Sequence, residues 1–193
     1  MQYSQSRLLV LMALTLVGCD AQIGTIVAKP GYFSDPRRIF LIDSIDPFAG
    51  TNISVAFRAG MRDGLARCGI ASADFKTSAL ELNRQSRFKD EVAAFHPDLL
   101  VRIETRNIRF LQTAEGLTYW IGAWDPLRDA KNEVWSARIN TVDIGGLVDR
   151  GGRGTEMAEK VIKQMTADRM LPACAGPHSA EAGLPVAAGA SSR

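Results

Sequence analysis

Three cysteines, two histidines and a few aspartates at segment ends are the residues of this chain best suited to chemistry. Neither Cys68 nor Cys174 lies in a C-x-x-C pair, which argues against thioredoxin-like redox exchange. In an oxidising compartment they form either a structural disulfide or two free thiols, one at a helix end and one in a tail. A His-dependent triad would have to use His96, since His178 lies in the far C-terminal stretch. His96 precedes Pro97, and an exposed or capping role is the plainer reading. No H-E-x-x-H and no paired-Cys motif occurs, so no metal site is expected. Asp43, Asp46, Asp125 and Asp129 could supply an acid pair for a hydrolase, but aspartate at strand ends and turns is ordinary. Gly151-Gly152-Arg153-Gly154-Thr155 opens a helix. Its Arg153 and the N–H groups around Gly154 and Thr155 could hold an anion. The Lys-Ser/Thr ending of a P-loop is missing, and a flexible entry loop is the alternative. These residues point away from an enzyme, and no cofactor is expected.

Elements placed by periodicity must position these groups. Arg38 to Asp43 is apolar on both faces, as a central strand is. Thr51 or Asn52 can cap a helix whose face is Ile53, Phe57, Met61, Leu65 and Cys68. Gly60 and Gly64 leave room beside that helix for close packing, and Gly69 suits its C-terminal cap. A second helix is expected from Leu82 to Phe95, stopped by Pro97. Leu99 to Phe110 alternates apolar and charged residues, the pattern of a strand with one wet face. Leu117–Asp125 and Glu133–Val142 read as a hairpin. A Gly-rich loop follows to Gly154, and Thr155 then caps a last helix with Ala158, Val161, Ile162 and Met165 as its apolar stripe. Lys160 and Lys163 are expected on its wet side.

The expected fold is α/β: a two-layer sandwich of about four mostly antiparallel strands with helices on one face. Residues 38–171 form the single domain, and 172–193 is an Ala/Gly/Pro/Ser tail without periodicity. Trp120 and Trp124 fall on the side of their strand opposite Leu117, Tyr119 and Ile121. Large aromatics on the outer face of a sheet mark a candidate partner-binding surface. The alternative is that a loop, the N-terminal segment or a helix covers them.

The chain begins with a polar stretch carrying Arg7, followed by an almost wholly apolar run from Leu8 to Val17. That run is shorter than the roughly 20 residues needed to cross a bilayer, and its layout is that of a secretory signal. Leu16-Val17-Gly18-Cys19 resembles the lipobox of bacterial lipoproteins. The resemblance implies a signal peptide at 1–18 and a lipidated Cys19, with 19–37 as lipidated N-terminus and tether. Asp20 resembles the inner-membrane retention signal of enterobacterial lipoproteins, which favours that membrane over the outer one. With 23 basic and 21 acidic residues and no polybasic run, the chain offers no electrostatic case for nucleic acid.

Pro97-Asp98-Leu99-Leu100-Val101-Arg102-Ile103 and Asp129-Ala130-Lys131-Asn132-Glu133-Val134-Trp135 resemble segments of small Gram-negative envelope lipoproteins. Among these are the lipopolysaccharide-assembly and peptidoglycan-synthase-activator types. The resemblance implies a non-catalytic accessory or assembly factor, anchored in a membrane, facing the periplasm and binding an envelope protein. It carries over no catalytic residue. A lipid, glycan or small-ligand carrier or sensor is the second reading, and a periplasmic hydrolase the third.

Overall fold

The computed structural model describes residues 21–32, 34–45, 51–76, 83–110, 114–144 and 150–176. Cys19, Asp20, Asp46 and His178 lie outside the described residues. Among the described residues the strands are β1 (Gln22–Ala28), β2 (Arg38–Ser44), β3 (Ala71–Lys76), β4 (Leu99–Phe110), β5 (Ala114–Trp124) and β6 (Trp135–Ile144). The helices are α1 (Thr51–Arg67), α2 (Arg84–Phe95) and α3 (Arg150–Ala167), with a short 3₁₀ turn at Pro172–Cys174. No described helix is long and apolar enough to cross a membrane.

The strands form one six-stranded sheet in the order β1-β6-β5-β4-β2-β3. The expected four strands are therefore corrected to six, and the sheet is mixed: β2 runs parallel to both β3 and β4, and the other pairings are antiparallel. Both missed strands are edges. β1 occupies the segment read as a tether, where Gly24 and Pro30 obscured the run Ile23, Thr25, Ile26, Val27. β3, ASADFK, has too little apolar content to show a period.

The inner face of the sheet is closed by α1 and α3. Ile53, Phe57, Met61 and Leu65 of α1 and Met157, Ala158, Val161 and Met165 of α3 cover Ile39, Leu41, Val101, Ile103, Tyr119, Ile121, Ala137 and Ile139. The helices run parallel, and glycines set their separation. A Cβ on Gly154 would lie 2.5 Å from the Ile53 carbonyl oxygen and 2.9 Å from the Phe57 nitrogen; one on Gly60 would lie 2.9 Å from the Ala158 Cβ. One turn on, Gly64 faces Ile162. Gly69 ends α1 with φ +72°, while Ile70 donates its N–H to Leu65. That is the left-handed cap glycine favours.

Helices were expected on one face only; the third packs on the other. α2 sets Phe88 and Phe95 against Phe40, with ring centroids 6.1 and 5.8 Å apart, and Phe88 against Phe75 at 5.3 Å. Phe40 and Phe75 are each at most 2% exposed. A strand apolar on both faces, as β2 is, needs this second layer. The rings of α2 pack at the β2–β3 end, and among the described residues no helix packs on the outer face of β4, β5 and β6.

Candidate functional site

The open face is built by strand alternation. Leu117, Tyr119, Ile121 and Ala123 of β5 are buried in the core, which turns Trp120 and Trp124 outward. Both indoles are half-buried. Cross-strand register aligns Glu104, Trp120 and Arg138 in one row, and Arg102, Gly122 and Ser136 in the next. Trp120 donates its indole N–H to Glu133 at 3.3 Å, and the Arg106 guanidinium stands 5.3 Å from its ring centroid. Glu104 is held between Arg102, at 2.7 Å, and Arg106. A Cβ on Gly122 would meet the Trp124 ring at 2.5 Å and Glu133 at 2.6 Å. Bare backbone at Gly122 therefore lets Trp124 and Glu133 lie flat on the sheet. Glu133 and Arg106 thus lie against Trp120, and both tryptophans keep part of their surface exposed. Two aromatic plates amid arginines and glutamates suit a polar, specific contact better than a greasy one.

Beside this face, between the first turn of α2 and the sheet, lies a groove of about 530 Å³. Ile42, Phe75 and Phe88 give it apolar walls, and Arg84, Arg102, Gln85 and Ser44 its polar ones.

Cys68 and Cys174 are joined as a disulfide with Cα atoms 4.8 Å apart. Parallel α1 and α3 end side by side, which brings the two cysteines together. Pro172–Cys174, placed by composition in the tail, is thus tied to the domain.

The anion-site residues Arg153, Gly154 and Thr155 lie elsewhere than expected. α3 starts at Arg150, so Thr155 sits inside the helix and does not cap it. Gly154 is pressed on α1, and Arg153 is only 5% exposed. This stretch is a helix-packing surface, which corrects both the anion cradle and the flexible entry loop.

The aspartates are engaged in local structure. Asp43, 2% exposed, accepts the Ser54 hydroxyl and the Ile45 N–H at 3.0 Å, and it forms an ion pair with the Arg58 guanidinium at 3.2 Å. Asp125 accepts the Leu127 and Arg128 N–H groups at 2.9 Å each and the Tyr32 hydroxyl at 2.9 Å. Burial, with the bond to Asp125, pushes the Tyr32 hydroxyl above the ordinary phenol range. Asp129 is held below the usual carboxylate range first by Lys29, 3.0 Å away, and then by Asn132. His96 ends α2 in the left-handed region, φ 51°, with its N–H on Val92. Among the described residues no group of three or more His, Cys, Asp or Glu side chains is placed to hold a metal.

One constellation was missed from the sequence. Glu156, Lys160, Gln164 and Asp168 recur every fourth residue along α3 and its last turn, and they clasp β1. Ala21 donates its N–H to Glu156 at 3.0 Å and gives its carbonyl to Lys160. Thr25 donates its hydroxyl to Asp168 at 2.6 Å and accepts from Gln164 at 2.9 Å. Four strand residues span about 13 Å and eight helical residues about 12 Å, so the clasp repeats in register. Lys160, expected on the wet side, belongs to it. The four-residue spacing of polar groups beside the apolar stripe was the visible signal.

No protein-family model matches this chain, and no curated protein is significantly similar to it. Solved structures do align. The PelC dodecamer from Paraburkholderia phytofirmans has a TM-score of 0.49 at 10% identity, covering 78% of this chain and 98% of that one. Lipoprotein GNA1162 from Neisseria meningitidis has a TM-score of 0.41 at 12% identity, covering 68% and 99%. The hypothetical protein CT253 from Chlamydia trachomatis has a TM-score of 0.37 at 9% identity, covering 68% and 94%.

Proposed function

We propose that this chain is a bacterial envelope lipoprotein, lipidated at Cys19, that acts as a non-catalytic accessory or assembly factor by binding an envelope protein. The anchor reading rests on Leu16-Val17-Gly18-Cys19. Asp20 favours the inner membrane, with the domain in the periplasm. The observation that carries the binding reading is the outer face of β4, β5 and β6, where Trp120 and Trp124 lie half-open among Arg102, Arg106, Glu104 and Glu133. Tryptophan and arginine are the side chains that most often dominate protein interfaces. Crosslinking from that face in intact cells tests the reading: one recurrent protein partner is expected, and adducts to lipid or glycan alone would overturn it.

The groove between α2 and the sheet favours a second reading, a carrier or sensor. Its apolar walls and two arginines suit a small ligand with an apolar body and an anionic group. Co-purification of such a ligand, released by Arg84→Ala, would favour it over the accessory role.

A further inference from the structure

We infer that the groove between α2 and the sheet binds a phosphate monoester carried on an apolar group, and that its occupancy is passed to Trp120 through Arg102, Glu104 and Arg106. The ligand class deepens the carrier-or-sensor reading above, and the link to Trp120 joins it to the accessory reading. The groove sits where the winding of the sheet reverses. β3 and β4 lie on opposite sides of β2 and run parallel to it. The chain reaches β3 through α1, on the inner face, and crosses to β4 through α2, on the outer face. Ligands of open α/β sheets lie at such a point, beside the carboxyl ends of the strands. The floor of the groove is one row of the register at that end, Phe75, Ile42 and Arg102, with Ser44 beyond it on β2.

The lining selects the ligand. Ile42 and Phe88 are half-buried and offer apolar surface to a body lying in the 530 Å³ of the groove. Arg84 and Arg102 bring two guanidiniums, Gln85 an amide and Ser44 a hydroxyl, and none of the described lining residues is acidic. Arg84 stands in no ion pair among the described residues, so its charge is open to an incoming anion. A carboxylate is satisfied by one guanidinium fork. A phosphate monoester is nearly doubly charged at neutral pH and offers three oxygens, enough to use both arginines and the neutral donors.

Arg102 also couples the groove to the partner face. Its guanidinium is 2.7 Å from Glu104, whose other carboxylate oxygen is paired with Arg106. Arg106 in turn stands 5.3 Å from the Trp120 ring centroid. Register places Ser44, Glu104 and Trp120 in one row across adjacent strands. A phosphate drawn to Arg102 sets a second anion beside Glu104. Glu104 then gives up part of its hold on Arg102 and leans on Arg106, which shifts against the indole.

Full-length protein in phosphatidylcholine nanodiscs is titrated with hexyl phosphate, followed by calorimetry and by tryptophan fluorescence. Saturable binding is expected, weakened about tenfold or more in Arg84→Ala, with an emission change that disappears in Trp120→Phe. Phosphatidic acid placed in the nanodisc separates the sources of the ester. An emission change without hexyl phosphate identifies a lipid headgroup, and dependence on hexyl phosphate identifies a soluble ester. No saturable binding, unchanged affinity in Arg84→Ala, or equal affinity for inorganic phosphate or hexanoate would overturn the ligand assignment. Binding that leaves Trp120 emission unchanged would overturn the coupling. These measurements involve no protein partner, so their failure leaves the accessory reading to be decided by crosslinking.

Discussion

Trp135 donates its indole N–H to Asp168 at 2.7 Å, and the same carboxylate oxygen takes the Thr25 hydroxyl at 2.6 Å. One side chain thus joins the start of β6, the edge strand β1 and the last turn after α3. Burial works to raise the Asp168 pKa, but the hydrogen bonds from Thr25, Trp135 and Gln164 outweigh it, and the pKa is lowered.

That lowering makes the hold on β1 acid-sensitive. A carboxyl group with a depressed native pKa stabilises the fold above its unfolded value, about 3.9, and the contribution is lost as pH falls through the native value. Amide hydrogen exchange should show β1, Ile23 to Val27, losing protection below about pH 4 before β4 and β5 do. Asp168→Asn should remove that pH dependence. Protection of β1 that tracks the central strands at every pH would count against the clasp.

The spacing of α1 and α3 depends on Gly154. Its added Cβ would press on backbone atoms of Ile53 and Phe57, which cannot swing away. Gly154→Ala should cost about 1–3 kcal/mol by overpacking, more than the gain of about 1 kcal/mol in helix propensity. Gly64→Ala meets the end of the Ile162 side chain, which can turn, and should be nearly neutral. Urea unfolding of the two variants checks the order.

The disulfide closes a separation of 106 residues. Cys68→Ser with Cys174→Ser should lower stability by about 2–5 kcal/mol. Thiol trapping of the native protein without reductant should find neither Cys68 nor Cys174 reactive. Two reactive thiols would show that the bridge does not form.

The tryptophans should divide by burial. Trp135 is 0% exposed, and Trp135→Ser should cost about 3–5 kcal/mol. Trp120→Ser and Trp124→Ser, each half-open, should cost about 2 kcal/mol or less and leave a folded domain. On the accessory reading they also abolish crosslinking to the partner. A loss from Trp120→Ser as large as that from Trp135→Ser would mean the outer face is covered.

The sequence was most readable where burial is one-sided and local. The alternation of β4 and β5 sorted Tyr119 and Ile121 from Trp120 correctly, because a one-residue slip would have sent both sets to the wrong face. The face of α1 and the Gly69 cap were legible for the same reason: each depends on neighbours within a turn or two. What escaped depends on distant residues. β1 and β3 are strands because β6 and β2 offer them an edge; Gly24 and Pro30 hid the apolar run of β1, and β3 carries too little apolar side chain to announce itself. Gly154 looked like a loop residue because the α1 backbone that requires it is a hundred residues away in sequence. Lys160 looked like part of a solvated helix face until a strand from the other end of the chain lay along it.

The clasp also imposes an order of events. The bond from Ala21 to Glu156 spans 135 residues, and that from Thr25 to Asp168 spans 143. In a chain delivered from its N-terminus, β1 arrives first and its partners β6 and α3 last. Closing so long a loop is slow compared with forming local contacts. Until β1 is in place the free edge of β6 is exposed, ready to pair with the wrong strand. On the proposed reading, lipid fastens the start of the chain to the membrane while the rest is still assembling. Every molecule then holds its own β1 within reach of its own β6, and the last step of folding is a recapture of the tethered end.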